Sequence, residues 1–328
     1  MTNKGARIVM IGETLIDLYF GSLDESLPGQ KRFLFSGAVG GGPANAAASL
    51  AYMGKPVSLI TSFSMDLMGA QMRQLLLERG IDLSLSRHDQ ELKMPMVLVL
   101  LDETGERTFK LYLAGTVFES IVVDPLSLPA DMEFFHFSSV LMVFDAGFDA
   151  TKTILDHIEK KNIIRSYDIN IRPDILATNP KALKRLMAVL DQVDVLKVSD
   201  EDLEWIRLHI DGSLTKPEDY FRYGIHLVVY TEGEKGATLM TPRARVHVPA
   251  PEVVVVDTTG GGDAFMAGVL DGLSDQKWAS RECLRTIDEA YLKALGINGA
   301  ESAKRVLSQP GGMPPIRKED KERGMTGA

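Results

Sequence analysis

The chain has a single cysteine, Cys283, among 328 residues. No internal disulfide can form, and this usage fits a reducing compartment. Six histidines do not cluster in the sequence, so no tetrahedral metal set is suggested. Apolar runs are short, and none approaches the roughly 18 residues of a membrane span. The opening MTNKGARIVMIGETLID carries no leader-like apolar stretch, because IVMI is too short and reads as a strand, so cytoplasm is the expected location. Positive charge is scarce as well. Formal net charge is −9 and no Lys/Arg stripe could neutralise a phosphate backbone, which argues against nucleic acid as a partner. Two common nucleotide motifs are also missing. G-x-x-x-x-G-K-[ST] does not occur, and G-x-G-x-x-G fails at both glycine clusters: GGGPAN (40–45) has Asn45 at the third glycine position and GGGDAF (260–265) has Phe265. Neither cluster follows the first strand, where a dinucleotide fold places its loop, so a dehydrogenase is disfavoured.

What is present is an alternation of short β-branched runs with helical patterns. RIVMIG (7–12), PVSLITSF (56–63), EFFHFSSV (133–140), IIRSYDIN (163–170), VDVLKVS (193–199) and IHLVVYT (225–231) read as strands. Between them PANAAASLAYMG (43–54), MGAQMRQLLLERG (68–80), DATKTILDHIEKKN (149–162), PKALKRLMAVLDQ (180–192) and DEDLEWIRL (200–208) read as helices. The sequence therefore predicts an α/β fold, a Rossmann-like three-layer sandwich with a mostly parallel central sheet. Two segments break the rhythm. Residues 94–113 predict two strands joined by the turn DETGE, and residues 15–36 alternate apolar and polar without helical period. Together they would form a small β-sheet, usable as a lid or as a dimer surface. ASRECLRTIDEAYLKAL reads as helical with Cys283 as a small buried hydrophobe, and residues 309–328, rich in Gly, Pro and charge, read as a fraying tail on a single domain.

The stretch DTTGGGDAFMAGVL (257–270) puts three glycines before an acid at an expected helix start. A helix over 261–273 would leave its first amides unpaired and its positive dipole end at the glycines. Residues without Cβ let a phosphate-like anion sit on those amides. A carboxylate beside an anion site is unfavourable unless it has a task, and accepting the proton of an attacking hydroxyl is the evident one for Asp263. An acidic first-turn residue after a glycine turn is the plainer alternative.

DTTGGGDAFMAG resembles the C-terminal signature D-T-x-G-A-G-D-x-F-x-x-G of the PfkB, or ribokinase-like, carbohydrate kinases, with Gly261 in place of the usual alanine. VGGGPANAAASLAYMG (39–54), continued by DLMG (66–69), resembles the N-terminal signature, and GETLID (12–17) resembles the family's start. The resemblance covers residues 6–300 and implies a ribokinase-like fold with a β lid, ATP and Mg2+ as cofactors, room for a monovalent cation, and a homodimer through the lid. It assigns Asp263 as base and the amides of Gly260, Gly261 and Gly262 as the anion hole. Asp17, Gly41, Gly42 and Asn45 map onto sugar-binding positions. YDINIRPDIL (167–176) resembles the D-x-N-x-R segment of fructokinases and 2-keto-3-deoxygluconate kinases, bringing Asp168, Asn170 and Arg172 to a strand's C-terminal end, with Arg172 toward phosphates or a substrate carboxylate. KVSDEDLEWI (197–206) resembles the N-x-x-E segment, which implies ATP-side roles for Lys197 and Ser199 and a magnesium-organising role, direct or through water, for Asp202, one methylene shorter than the usual glutamate. YTEGEKGA (230–237) resembles the T-x-G-x-x-G nucleotide segment, which implies Thr231, Gly233 and Gly236 as ATP contacts.

The motifs together look most like bacterial fructokinases, implying phosphoryl transfer from ATP to a small sugar. 2-Keto-3-deoxygluconate kinase or another PfkB-type sugar kinase is the alternative within the family. In the former an arginine at the end of the lid hairpin holds the acid, and many fructokinases carry Tyr-Arg there too. FKLYLAG (109–115) has Leu113, which counts against both but more against the acid substrate. A sugar-sensing or structural homologue without catalysis is the alternative of another class. His136 in FFHFSS is expected to be a satisfied core histidine.

Overall fold

Arg7–Ile11 (β1) is a short apolar run whose last four residues are buried, the pattern of a central strand covered on both faces. The computed structural model describes residues 7–24, 32–101, 107–176, 179–274 and 280–317. After β1 the chain forms β2 (Leu15–Asp24), β3 (Arg32–Gly40), α1 (Gly42–Tyr52), β4 (Val57–Ile60), β5 (Ser62–Ser64), α2 (Leu67–Leu77), β6 (Arg87–Asp89), β7 (Met96–Leu101) and β8 (Arg107–Tyr112). Then come β9 (Met132–Ser138), α3 (Ser139–Met142), α4 (Asp145–Ile158), β10 (Ile164–Asp168), α5 (Pro173–Leu176), α6 (Pro180–Ala188), β11 (Val195–Ser199) and α7 (Asp200–His209). The chain continues with β12 (Leu227–Thr231), β13 (Ala237–Met240), β14 (Arg245–Val248), α8 (Gly261–Leu273), α9 (Arg281–Leu284) and α10 (Glu289–Leu307).

The main sheet has the order β14-β13-β12-β11-β10-β9-β1-β4, parallel from β12 to β4 with two antiparallel strands at one edge. Alternate residues of β1 feed two cores. Ile8 and Met10 pack with α1, α2, α8 and α10, whereas Val9 and Ile11 pack with α3, α4, α6 and α7. That is the expected three-layer α/β sandwich. Parallel strands point their C-terminal ends the same way, which collects the loops after β1, β10, β11 and β12 at one rim.

The second sheet, β3-β2-β7-β8, is the expected small β-sheet. Its turn DETGE (102–106) and residues 25–31 lie outside the described residues. Register puts Asp17, Val97 and Leu111 on one face and Phe20, Phe35 and Tyr112 on the other.

Several boundaries differ from the sequence reading. PVSLITSF splits at Thr61, because Ile60 O still accepts the Gly12 N–H of the main sheet while Thr61 O accepts the Arg87 N–H that leads to the small β5–β6 pair. The strand read to Val140 stops at Ser138, where α3 begins. ASRECLRTIDEAYLKAL is two helices, since Asp288 accepts the Tyr291 N–H and caps α10 anew; Cys283 is only half-buried. Residues 309–317, the start of the expected tail, pack back on the main body. Gly311 N–H donates to Asp257 Oδ2 at 3.0 Å, Pro314 O accepts Arg79 Nη1 at 2.6 Å, and Met313 is buried, so the strap is held by its own backbone bonds. Residues 318–328 of that expected tail lie outside the described residues. Among the described residues no helix is long and apolar enough to cross a membrane.

Candidate active site

Helix α8 starts on Gly260, whose φ of 74° lies in the left-handed region; a Cβ there would sit 2.3 Å from Gly312 O. The first-turn amides of a helix have no helical carbonyl to bond, and among the described residues no side chain caps this one. Gly261 N–H reaches Thr258 O at 3.3 Å, and a Cβ on Gly261 would meet only the movable Leu307 Cδ2. The departure from the usual alanine is therefore sterically mild. Gly262 is exposed, and a Cβ on it would stand 3.3 Å from Lys197 Nζ. Glycine backbone, first-turn amides and an ammonium thus meet at one point, as an anion site requires.

Asp263 is the third residue of α8 and is partly exposed. Its Oδ2 accepts Asn45 Nδ2–H at 2.9 Å, joining two motifs 218 residues apart in sequence. Burial raises its pKa above the ordinary carboxylate range, against the pull of Asn45, Lys197 and Arg172.

Beneath the glycines, Lys197 Nζ donates to Asp168 Oδ1 at 2.9 Å, and both side chains are almost wholly buried. Burial pushes Asp168 up to about 6 despite Lys197, with Asp263 and Asp202 adding to the rise. Burial works against the Lys197 ammonium, but Asp168, Asp202 and Asp263 outweigh it and hold the lysine above its usual value. Ser199 and Asp202 form a reciprocal cap at the start of α7. Asp202 Oδ2 accepts Ser199 N–H at 2.9 Å and Oδ1 accepts Ile171 N–H at 2.7 Å. Both oxygens are engaged by backbone, so Asp202 builds the 169–172 turn. Among the described residues no cluster of three or more His, Cys, Asp or Glu could hold a metal ion.

At the other end, Asp17 on β2 lies against bare backbone. A Cβ on Gly40 would fall 2.1 Å from Asp17 Oδ2. Burial, then Asp257 and Asp263, push Asp17 up to about 7, with Arg172 opposing. Gly41 has φ 111°, and a side chain there would meet Glu13 O at 2.3 Å. A Cβ on Gly42 would come within 3.2 Å of both Asp263 Oδ1 and Asn170 Nδ2. Asn170 itself has φ 42°, the one positive value among described non-glycine residues. Arg172 is exposed and donates Nη1–H to Ile171 O at 3.0 Å.

Thr231 ends β12, next to Ser199 in register. Gly233 (φ 54°) and Gly236 (φ 102°) shape the turn into β13, where a Cβ on Gly236 would strike Val248 O at 2.2 Å. His136 is a core histidine as expected: its Nδ1 bonds Ser166 Oγ at 2.9 Å, and burial pushes its pKa down to about 3.

Sequence reasoning passed over three contributors. Asp257 accepts Thr259 N–H and Oγ1–H and, through Gly311, ties the strap to the glycine loop. Gly312 packs against Gly260 and the Asn45 amide. Glu13, in GETLID beside Asp17, is 1% exposed.

The sequence and the fold have counterparts. A model of the pfkB family of carbohydrate kinases matches residues 6–313. A fructokinase of Rhizobium leguminosarum bv. trifolii is 30% identical over 287 residues, covering 87% of this chain and 85% of that protein. Among solved structures, fructokinase of Xylella fastidiosa with bound ATP superposes with a TM-score of 0.79 at 22% identity, covering 98% of each chain. Fructokinase of Vibrio cholerae O395, in its fructose-, ADP- and calcium-bound form, gives a TM-score of 0.75 at 24% identity over 98% of this chain and 99% of its own.

Proposed function

The chain belongs to the pfkB family of carbohydrate kinases, and from that premise we propose that it transfers the γ-phosphate of ATP to a hydroxymethyl oxygen of free fructose, giving fructose 6-phosphate. One observation carries the reading: the 2.9 Å bond from Asn45 to Asp263 brings the sugar-side glycines and the anion-binding helix start to the same point. The sugar lies along Asp17, Gly41, Gly42 and Asn45. Its hydroxymethyl oxygen attacks the γ-phosphorus, the bond to the bridging oxygen breaks, ADP leaves, and Asp263 takes the hydroxyl proton. Charge on the transferring group falls on the Gly260–Gly262 backbone and on Lys197, which need no reorganisation to receive it. Magnesium, when bound with ATP, neutralises charge on the β- and γ-phosphate oxygens. On the ATP side, Ser199, Thr231, Gly233 and Gly236 shape the rim after β11 and β12, while Asp202 orders the turn that presents Arg172.

Fructose is favoured over a sugar acid by a particular of the lid. Leu113, just after β8, is buried in the core with Leu15, Val97 and Phe137, so this position offers no cation to a carboxylate. The test is a coupled ADP-release assay with Mg-ATP against fructose, 2-keto-3-deoxygluconate, ribose, tagatose and adenosine. The expected kcat/KM for fructose exceeds each rival by about tenfold or more, the discrimination of one or two well-placed contacts. Preference for the keto-acid would transfer the assignment to Arg172 as a carboxylate clamp. Thermal stabilisation by a sugar without any turnover would make the protein a sensor.

The same reading includes a homodimer through the lid. Phe20, Phe33 and Phe35 cluster on the face opposite Asp17, with centroids 5.7–6.4 Å apart, and Phe33 is 67% and Tyr112 57% exposed. An aromatic group of this size facing water marks an interaction surface. Light scattering should give a dimer mass that falls to monomer in Phe33→Asp/Phe35→Asp. A wild-type monomer at micromolar concentration would remove the dimer from the proposal.

A further inference from the structure

Glu13 has no part in the roles assigned above, yet it occupies the centre of the site. Its Oε1 accepts Gly42 N–H at 3.0 Å, and Gly42 is the first residue of α1. Its Oε2 is buried with no hydrogen-bond partner among the described residues. A carboxyl buried in this way is destabilising unless something depends on it. Its backbone carbonyl is also the atom that forbids a side chain at Gly41. Segment 12–13 and the 41–42 turn therefore interlock at two points. From there the constraint runs along α1: Asn45 N–H closes the first turn on Gly41 O at 2.8 Å, and Asn45 Nδ2–H reaches Asp263 Oδ2.

We propose that Glu13 is a positioning residue for the proton-accepting carboxylate, acting through Gly42 and Asn45 to fix where Asp263 lies. This rests on the assignment of Asp263 as base. The charged groups that face Glu13 are Asp263 from α8 and Arg172 from the segment after β10, while α1 (GPANAAASLAY) carries no charged side chain. Burial pushes Glu13 up to about 7, opposed by its own and the Gly42 amide, and Asp263 adds to the rise. Coupling between charges is reciprocal, so an ionised Glu13 raises Asp263 in turn.

Three variants test this by steady-state kinetics from pH 5 to 9. Glu13→Ala releases Gly42 and is expected to lower kcat by about 30-fold or more, with KM for ATP within about threefold, because a small misplacement of a reacting group is costly. Glu13→Gln keeps an oxygen for the Gly42 amide and is expected to restore kcat to within about threefold at pH 7.5. The acid limb of its kcat profile should move to lower pH, since no second acid then competes with Asp263 for negative charge. A packing role alone would leave that limb in place. Full kcat in Glu13→Ala, or an unmoved limb in Glu13→Gln, overturns the proposal; the glutamine variant decides the matter where the alanine variant does not fold. Asp263→Asn measured in parallel separates the two readings. If it keeps turnover, the base assignment fails; if it loses turnover while Glu13→Ala keeps it, only the role of Glu13 fails.

Discussion

Replacing Asp263 by asparagine is expected to lower kcat by roughly a thousandfold, within the range for loss of a general base. The substitution keeps the side chain's shape, and its amide oxygen can still accept Asn45 Nδ2–H. Sugar affinity, which in the proposed reading draws on Asp17, Asn45 and the 40–42 backbone, should therefore stay within a few-fold by calorimetry. Residual turnover should persist, because the glycine amides and Lys197 remain to stabilise the transferring group. Survival of kcat within a few-fold would mean that another group takes the proton. Burial raises the Asp263 pKa, and the folded enzyme must lose that proton before the carboxylate can act. The acid limb of wild-type kcat should accordingly lie above that expected for an ordinary aspartate, and the asparagine variant should lose that limb.

The start of α8 was legible in sequence because its chemistry is local. Three glycines, an acid and an apolar run lie within a few residues, and backbone geometry does the rest. The parallel sheet was legible for a similar reason: β-branched runs recur with helix-length spacers. Less visible were features made by distant segments meeting. Glu13 reads as an ordinary acid until β1 and α1 close over it, since burial is a property of what folds on top. The strap at 309–317 has a loop composition, yet it is held by Asp257 and Arg79, which no neighbouring residue announces. Asp202 shows the reverse case. Resemblance to the N-x-x-E segment implies a magnesium-organising role, direct or through water, and its two oxygens also accept the amides of Ser199 and Ile171. The carboxylate that ends one motif serves the backbone of another.

Lys197→Met is expected to produce the largest loss of stability together with a fall in kcat of about a hundredfold. The lysine is the buried partner of Asp168 at 2.9 Å, and it lies close to where a side chain on Gly262 would project. Removing one member of a buried pair costs about 3–5 kcal/mol, because the other charge is left without compensation. Asp168 can relieve part of this by taking a proton, since burial already raises it to about 6 and loss of the ammonium raises it further. The sign of the pH dependence follows. A carboxyl whose folded pKa exceeds its unfolded value is protonated in the folded state first, so its stability contribution is whole below the unfolded pKa and is lost as pH rises toward the folded pKa. The variant should therefore lie nearer wild type in urea denaturation at pH 5 than at pH 8. Lys197→Met/Asp168→Asn removes both charges and should regain most of the lost stability at pH 8. It should not regain turnover, because the ammonium beside the glycine amides is still missing when the phosphoryl group passes. Recovery of both in the double variant would make the pair purely structural and leave the anion site to the backbone alone.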